Sequence, residues 1–142
     1  MPDTLEALRE GIYTRVATCS CGLLSARVIG DPVRVSICHC LTCQRRTGSA
    51  FAQQARFLRE HVAVTGTSTE YVRMGDEGGQ ATFHFCPQCG STVYYEAMGL
   101  EAYLTIPVGA FADPDFPPPT VSVYEDRMHG WVLPPPDAQH IP

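Results

Sequence analysis

The chain has 142 residues, 44% of them hydrophobic and 18% charged, with a formal net charge of −5. That length fits one domain, and the composition can bury a core, which excludes a chain disordered throughout. The acidic balance repels phosphate backbones and argues against a nucleic-acid partner, and no apolar run is long enough to span a bilayer as a helix.

In chain order, the spacing of Leu5 and Leu8 suggests a short N-terminal helix, with Asp3 or Thr4 as its cap and Gly11 as its stop. The opening MPDTLEALREG lacks the basic start and apolar centre of an export signal, so the expected location is the cytoplasm. Short strands follow. Strands are expected near 14–19, 23–29, 51–57, 61–65, 69–74 and 92–96. Period-two alternation marks four more: Val33, Val35 and Ile37; Phe83 and Phe85; Ala102, Leu104 and Ile106; Val121 and Val123. Pro117–Pro119 and Pro134–Pro136 cannot be central strands, because proline donates no ladder hydrogen bond. They read as an edge loop and an extended tail over 133–142. Trp131, the sole tryptophan, is expected as a core anchor that closes the sheet, with a pocket role as the alternative. The expectation is one mainly β domain over 1–142.

The seven cysteines are the chemical signal. An odd number without an export signal argues against a disulfide framework, and their tight grouping argues against scattered core cysteines. Cys86-Pro-Gln-Cys89-Gly is a zinc knuckle, in which a tight turn aims two sulfurs at one ion. A structural site needs four ligands, and Cys19 and Cys21, one residue apart on a strand, supply the second pair. Cys38, Cys40 and Cys43 remain, close enough in sequence to hold a second ion locally. Three protein ligands leave a position open for chemistry. The competing arrangement closes that site with His39 or a distant histidine, although His39 on a strand would point to the opposite face. His61, His84, His129 and His140 carry no ligand spacing and read as surface or core residues.

Zinc held by three thiolates is a weak Lewis acid toward water but suits an incoming thiol, held as the nucleophilic thiolate. The chemistry expected is making or breaking a carbon–sulfur bond on a small thiol. Arg45 and Arg46 directly follow the anionic site and are candidates to hold substrate carboxylates through paired hydrogen bonds. Thr47 and Gly48 are candidates for an amide-lined anion turn.

At these residues the chain resembles the glutathione-dependent formaldehyde-activating enzyme family, which also includes centromere protein V. The resemblance runs from about Val16 to Val132. It is carried by Cys19-x-Cys21-Gly22, by Cys38-His39-Cys40-x-x-Cys43 with Thr47-Gly48, and by Phe85-Cys86-x-x-Cys89-Gly90-Ser91. Gly109, Asp113-Pro114 and Trp131 complete it. The resemblance implies a β-tent fold of small coiled antiparallel sheets pinned by zinc. It also implies a structural zinc on Cys19, Cys21, Cys86 and Cys89, and a catalytic zinc on Cys38, Cys40 and Cys43. The implied reaction joins glutathione to formaldehyde as S-(hydroxymethyl)glutathione, within the carbon–sulfur lyases. Gln44 stands where family members often carry arginine, and the Gly75–Gln80 stretch is short. The alternatives are a glutathione-binding zinc module without turnover, a purely structural zinc module that binds a partner protein, and a redox enzyme like methionine sulfoxide reductase B. The last needs a cysteine outside the metal sites.

Overall fold

A computed structural model describes residues 13–75 and 78–142. The short helix expected between Asp3 and Gly11 lies outside these residues. The described chain is mainly β. Its strands are β1 (Thr14–Thr18), β2 (Ser25–Ile29), β3 (Arg34–Cys38), β4 (Ala52–Leu58), β5 (Val62–Thr65) and β6 (Thr69–Met74). They continue with β7 (Gln80–Phe85), β8 (Thr92–Ala97), β9 (Tyr103–Pro107), β10 (Val121–Val123) and β11 (Gln139–His140). The α-helix α1 (Leu41–Thr47) sits between β3 and β4. No described helix is long and apolar enough to cross a membrane.

Two sheets result. The smaller has the order β1-β2-β5, and the larger runs β11-β10-β3-β4-β9-β8-β7-β6. Alternation along the strands decides what each face touches. Val35 of β3, Ala55 and Phe57 of β4, Val93 of β8 and Ile106 of β9 point to one side of the large sheet. There they meet Ala17, Ala26 and Val28 from the small sheet and Leu24 from the turn that precedes β2. Phe111 and Phe116, stacked with centroids 4.8 Å apart, close the same core. Burying a side chain of this size contributes roughly 1.5–3 kcal/mol, so this layer supplies the main apolar stabilisation. The neighbouring positions on the other side, Arg34, Ser36 and Cys38 of β3 with Gln54 and Arg56 of β4, line a cleft.

The alternation patterns of the sequence reappear as strands, with three informative differences. The expected 14–19 strand ends at Thr18, because Cys19 starts a turn in which the Gly22 amide donates to its carbonyl at 3.2 Å. The proline-rich tail does not stay free. Gln139–His140 pairs in parallel with β10, which itself pairs in parallel with β3, so this end of the large sheet is not antiparallel. Trp131 is no core anchor: it is 70% exposed, in edge-to-face contact with His129. The next residue, Val132, turns inward and is buried instead, because the Val132 amide binds the His129 carbonyl and the turn points Trp131 outward.

Candidate metal centres and cleft

Cys19 and Cys21 lie at the turn that joins β1 to β2, and Cys86 and Cys89 at the turn that joins β7 to β8. The two turns belong to different sheets and repeat the same local geometry. Gly22 and Gly90 both take a left-handed conformation, with φ of 83° and 79°. Glycine permits that conformation without a Cβ clash, and it lets backbone amides face the sulfurs. The Leu24 amide donates to Cys19 Sγ at 3.2 Å, and the Gln88 amide to Cys86 Sγ at 3.3 Å. Ser20 and Ser91 link the turns through their hydroxyls at 2.9 Å.

All four sulfurs fall within 4.8 Å of one another. Cys19 to Cys21 is 3.7 Å and Cys21 to Cys86 is 3.6 Å. Sulfurs at about 2.3 Å from a tetrahedral zinc are about 3.8 Å apart, so the set fits that ion. Every cysteine is free, and the separations far exceed a disulfide's ~2.05 Å. The thiols are electrostatically unequal. The Ser91 amide, the Cys21 amide and the Ser91 hydroxyl pull Cys89 down to about 5. The Leu23 amide opposes the shift at Cys21, but Cys86, burial and Cys19 push that thiol up to about 11.

The second cluster forms within one segment. Cys38 ends β3, Cys40 caps α1, and Cys43 lies in its first turn. Their sulfurs also lie within 4.8 Å of one another, and the residues are 5%, 4% and 5% exposed. The helix start explains the convergence: Cys40 Sγ accepts the Cys43 amide at 3.3 Å, as a capping side chain does. Thr42 Oγ1 lies 3.2 Å from Cys40 Sγ, and Arg73 Nη1 donates to Cys43 Sγ at 3.6 Å. Hydrogen bonds from Cys38 and Cys43 hold the Cys40 thiol far below its ordinary value, while Cys40, Cys43 and burial push Cys38 up.

Among the described residues no fourth ligand joins this set. His39 is fully buried and turns away, with Nε2 3.0 Å from Ser122 Oγ. The closed alternative with His39 is therefore not what the fold builds. His84 is buried and stacks on Tyr94 at 4.2 Å, whereas His129 and His140 are exposed and bind Gln44 and Glu125. His61 is half-buried beside β5.

The three cysteines open onto a cleft of about 420 Å³. Arg34, Arg56 and Arg73 line it, with Ser36, Gln54 and Tyr95 between them. Arg45, Arg46, Thr47 and Gly48 are not among its lining residues. Helical geometry explains this. At about 100° per residue, Arg45 points away from Cys43 on α1, and it lines a shallow depression with Gln44 and Ser49. Arg46 lies over the Phe83 ring at 4.5 Å. Thr47 Oγ1 donates to the Cys43 carbonyl at 2.9 Å, and Gly48 caps the helix end. Gln44, in the place where arginine was noted as common, ties α1 to its surroundings. Its Nε2 donates to the carbonyls of His39 and Arg127 at 2.9 and 3.1 Å. Arg34 and Arg56 did not figure in the sequence expectations. The available signal was parity: Arg34 and Cys38 are four residues apart on one strand and so share a face.

A mainly β protein with two cysteine clusters able to hold metal ions, one of them at the mouth of a cleft, is the class that this fold and these sites define. The sequence profile of the glutathione-dependent formaldehyde-activating enzyme family matches residues 14–127, and the chain belongs to that family. No curated protein matches it. A crystal structure of a Rhodobacter sphaeroides protein is similar at a TM-score of 0.54 and 22% identity, over 70% of this chain and 91% of that one. At that identity the likeness concerns the fold alone.

Proposed function

We propose that the protein is a zinc-dependent carbon–sulfur lyase, or thiol-adduct synthase, acting on a small thiol such as glutathione and an aldehyde such as formaldehyde. Cys38, Cys40 and Cys43 would hold the catalytic zinc, and Cys19, Cys21, Cys86 and Cys89 the structural one. The single observation that carries this reading is the convergence of three buried sulfurs, without a fourth among the described residues, at a cleft of about 420 Å³. Zinc bound there supplies a position at which an incoming thiol ionises at neutral pH.

The chain's own residues do the rest. Three thiolates around a divalent ion leave a net charge of about −1, and the Arg73 guanidinium beside Cys43 offsets it. In the synthetic direction the thiol sulfur bonds to the aldehyde carbon, and the carbonyl electron pair moves to oxygen, which takes up a proton. Tyr95 lines the cleft, and burial pushes its phenol up, so it stays protonated and suits hydrogen-bond donation to that oxygen. Free thiols, which an oxidising compartment would convert to disulfides, suit the reducing cytoplasm.

The test is zinc content per chain with and without glutathione, for the wild type and Cys40→Ser, combined with the rate of S-(hydroxymethyl)glutathione formation above the uncatalysed rate. Two zinc in the wild type, one in the variant, retention strengthened by glutathione and a zinc-dependent rate are expected. Thiol-strengthened retention without rate acceleration would make the protein a thiol-binding module. One zinc in both proteins, unmoved by glutathione, would end the catalytic reading.

A further inference from the structure

Beyond the cysteines, the cleft contains a pair of like charges, with no carboxylate among its described lining residues. Arg34 of β3 and Arg56 of β4 are direct cross-strand partners, and both line the cleft. Like charges directly opposite each other on a sheet are destabilising unless something lies between them. Among the described residues neither guanidinium has an ion pair, and the Nε of each is buried without a hydrogen-bond partner. Gln54 Oε1, two pairs further along the same ladder and on the same face, is buried and unpartnered as well. Burial, and then the charge of Arg56, weaken the protonated form of Arg34. Arg56 is held in place by the Tyr103 ring, 5.6 Å from its guanidinium carbon. Solvated surface arginines would keep these nitrogens in water; here they face a shared, partly enclosed space.

The sheet register turns this pair into one end of a trough. From the cysteine end outward, the successive cross-strand pairs are Cys38 with Ala52, Ser36 with Gln54, and Arg34 with Arg56. Four residues of strand at about 3.3 Å each separate Cys38 from Arg34 by about 13 Å of backbone. Arginine side chains that lean along the strand shorten this gap to the span of a short peptide. The arrangement offers a thiol site at one end, hydrogen-bonding side chains in the middle and two guanidinium groups at the other end.

We infer that Arg34 and Arg56 are the residues that hold the carboxylate of the substrate thiol, and that this pair, not Arg45 and Arg46, sets the selectivity of the cleft. This assignment rests on the thiol chemistry proposed above and names the residues that select the substrate. Two guanidiniums can grip one carboxylate by parallel N–H···O bonds, which neutral thiols cannot offer. The chain makes all ten of its basic residues arginine, so no lysine competes for the role. The pair selects and orients the substrate and does not touch the reacting atoms.

The experiment is calorimetric titration of the metal-loaded protein with S-methylglutathione, which keeps both carboxylates but has no free thiol, and with its diester. The wild type is expected to bind the acid at least about tenfold more tightly than the diester. Arg34→Gln and Arg56→Gln are expected to lose about tenfold or more toward the acid and little toward the diester. Arg56→Lys, which keeps the charge and loses the fork, should fall between, and thermal melting of each variant checks that it is folded. Equal binding of acid and diester, no detectable wild-type binding at millimolar ligand, unchanged affinity in folded glutamine variants, or an equal loss in Arg45→Gln would each overturn the assignment. Failure of the thiol reading has a different signature. Glutathione would then bind no more tightly than S-methylglutathione, while the Arg34 and Arg56 variants still lose their tenfold and the subsite stands.

Discussion

The two cysteine clusters use the same donor atoms and divide sharply in what they connect. Cys19, Cys21, Cys86 and Cys89 come from turns far apart in sequence that belong to different sheets, and two of the four are exposed. Cys38, Cys40 and Cys43 come from one strand end and the helix that follows, and all three are buried against a cleft. An ion in the first set would close a long loop and hold the two sheets together. An ion in the second would close almost nothing, because its ligands are already neighbours. Stability should therefore depend on the first cluster and ligand binding on the second, although the thiols are chemically alike.

The largest expected effect breaks the comparison at its structural end. Cys86→Ser removes a buried ligand at the junction of the sheets. Structural zinc contributes about 10–16 kcal/mol in zinc-finger peptides, against a total stability of about 5–15 kcal/mol for a domain. Cys86→Ser is expected to abolish cooperative thermal unfolding at neutral pH, and chelation of the wild type should do the same. A sharp melt near the wild-type temperature would refute the junction role.

Cys40→Ser tests the other end and should be far milder. Serine is itself a preferred N-cap and its hydroxyl can accept the Cys43 amide in place of the sulfur, so the melting temperature should move by no more than about a few degrees in a chain of this size. Metal content should fall by half while the melt stays cooperative. A loss of stability as large as that in Cys86→Ser would mean that both clusters are structural.

Arg73→Met sharpens the second cluster. Its guanidinium is the cation found at Cys43 Sγ, and it also stacks over Phe83 at 4.8 Å. Removing it should weaken metal retention at the three-cysteine site by about 10- to 100-fold in competition with a chromogenic chelator. The four-cysteine site should release its metal as before. Equal release from both sites in wild type and variant would remove Arg73 from the account.

The smallest effect concerns pH. The Glu125 carboxylate, and then the Pro136 carbonyl, raise His140 above its ordinary value, 2.6 Å from Glu125. A raised histidine stabilises the fold below its unfolded value of about 6.5, and that contribution is lost as pH rises through the folded value. Both groups are near the surface, so a decline in melting temperature of about a degree is expected from pH 6 to 8. His140→Gln should flatten that slope without altering metal content. A slope that persists in the variant would assign it to another group.

Much of this was legible along the chain. Alternation placed β3, β7, β9 and β10, and Cys-x-Cys and Cys-x-x-Cys spacing grouped neighbouring thiols that the fold keeps within 4.8 Å of one another, because both signals are local and arise from fixed backbone periods. Helix α1 was less legible, since cysteine is an unusual cap and its role as acceptor for the Cys43 amide appears only once the segment turns. Trp131 misled because size and hydrophobicity favour burial on average, while the turn at His129 decided the side on which it stands.

The sequence by itself determined the donor chemistry: which cysteines could converge, and in what numbers. Only the tertiary structure decided which arginines share their space. Arg45 and Arg46 adjoin the cysteines along the chain, yet helical rotation carries one outward and stacks the other on Phe83. Arg34 and Arg56 are distant in sequence from one another, and the register of β3 on β4 sets them opposite each other on the cleft face. Ligand spacing is written in a few consecutive residues, whereas a cleft is made by pairing strands across the fold, and sequence proximity carries no information about that pairing.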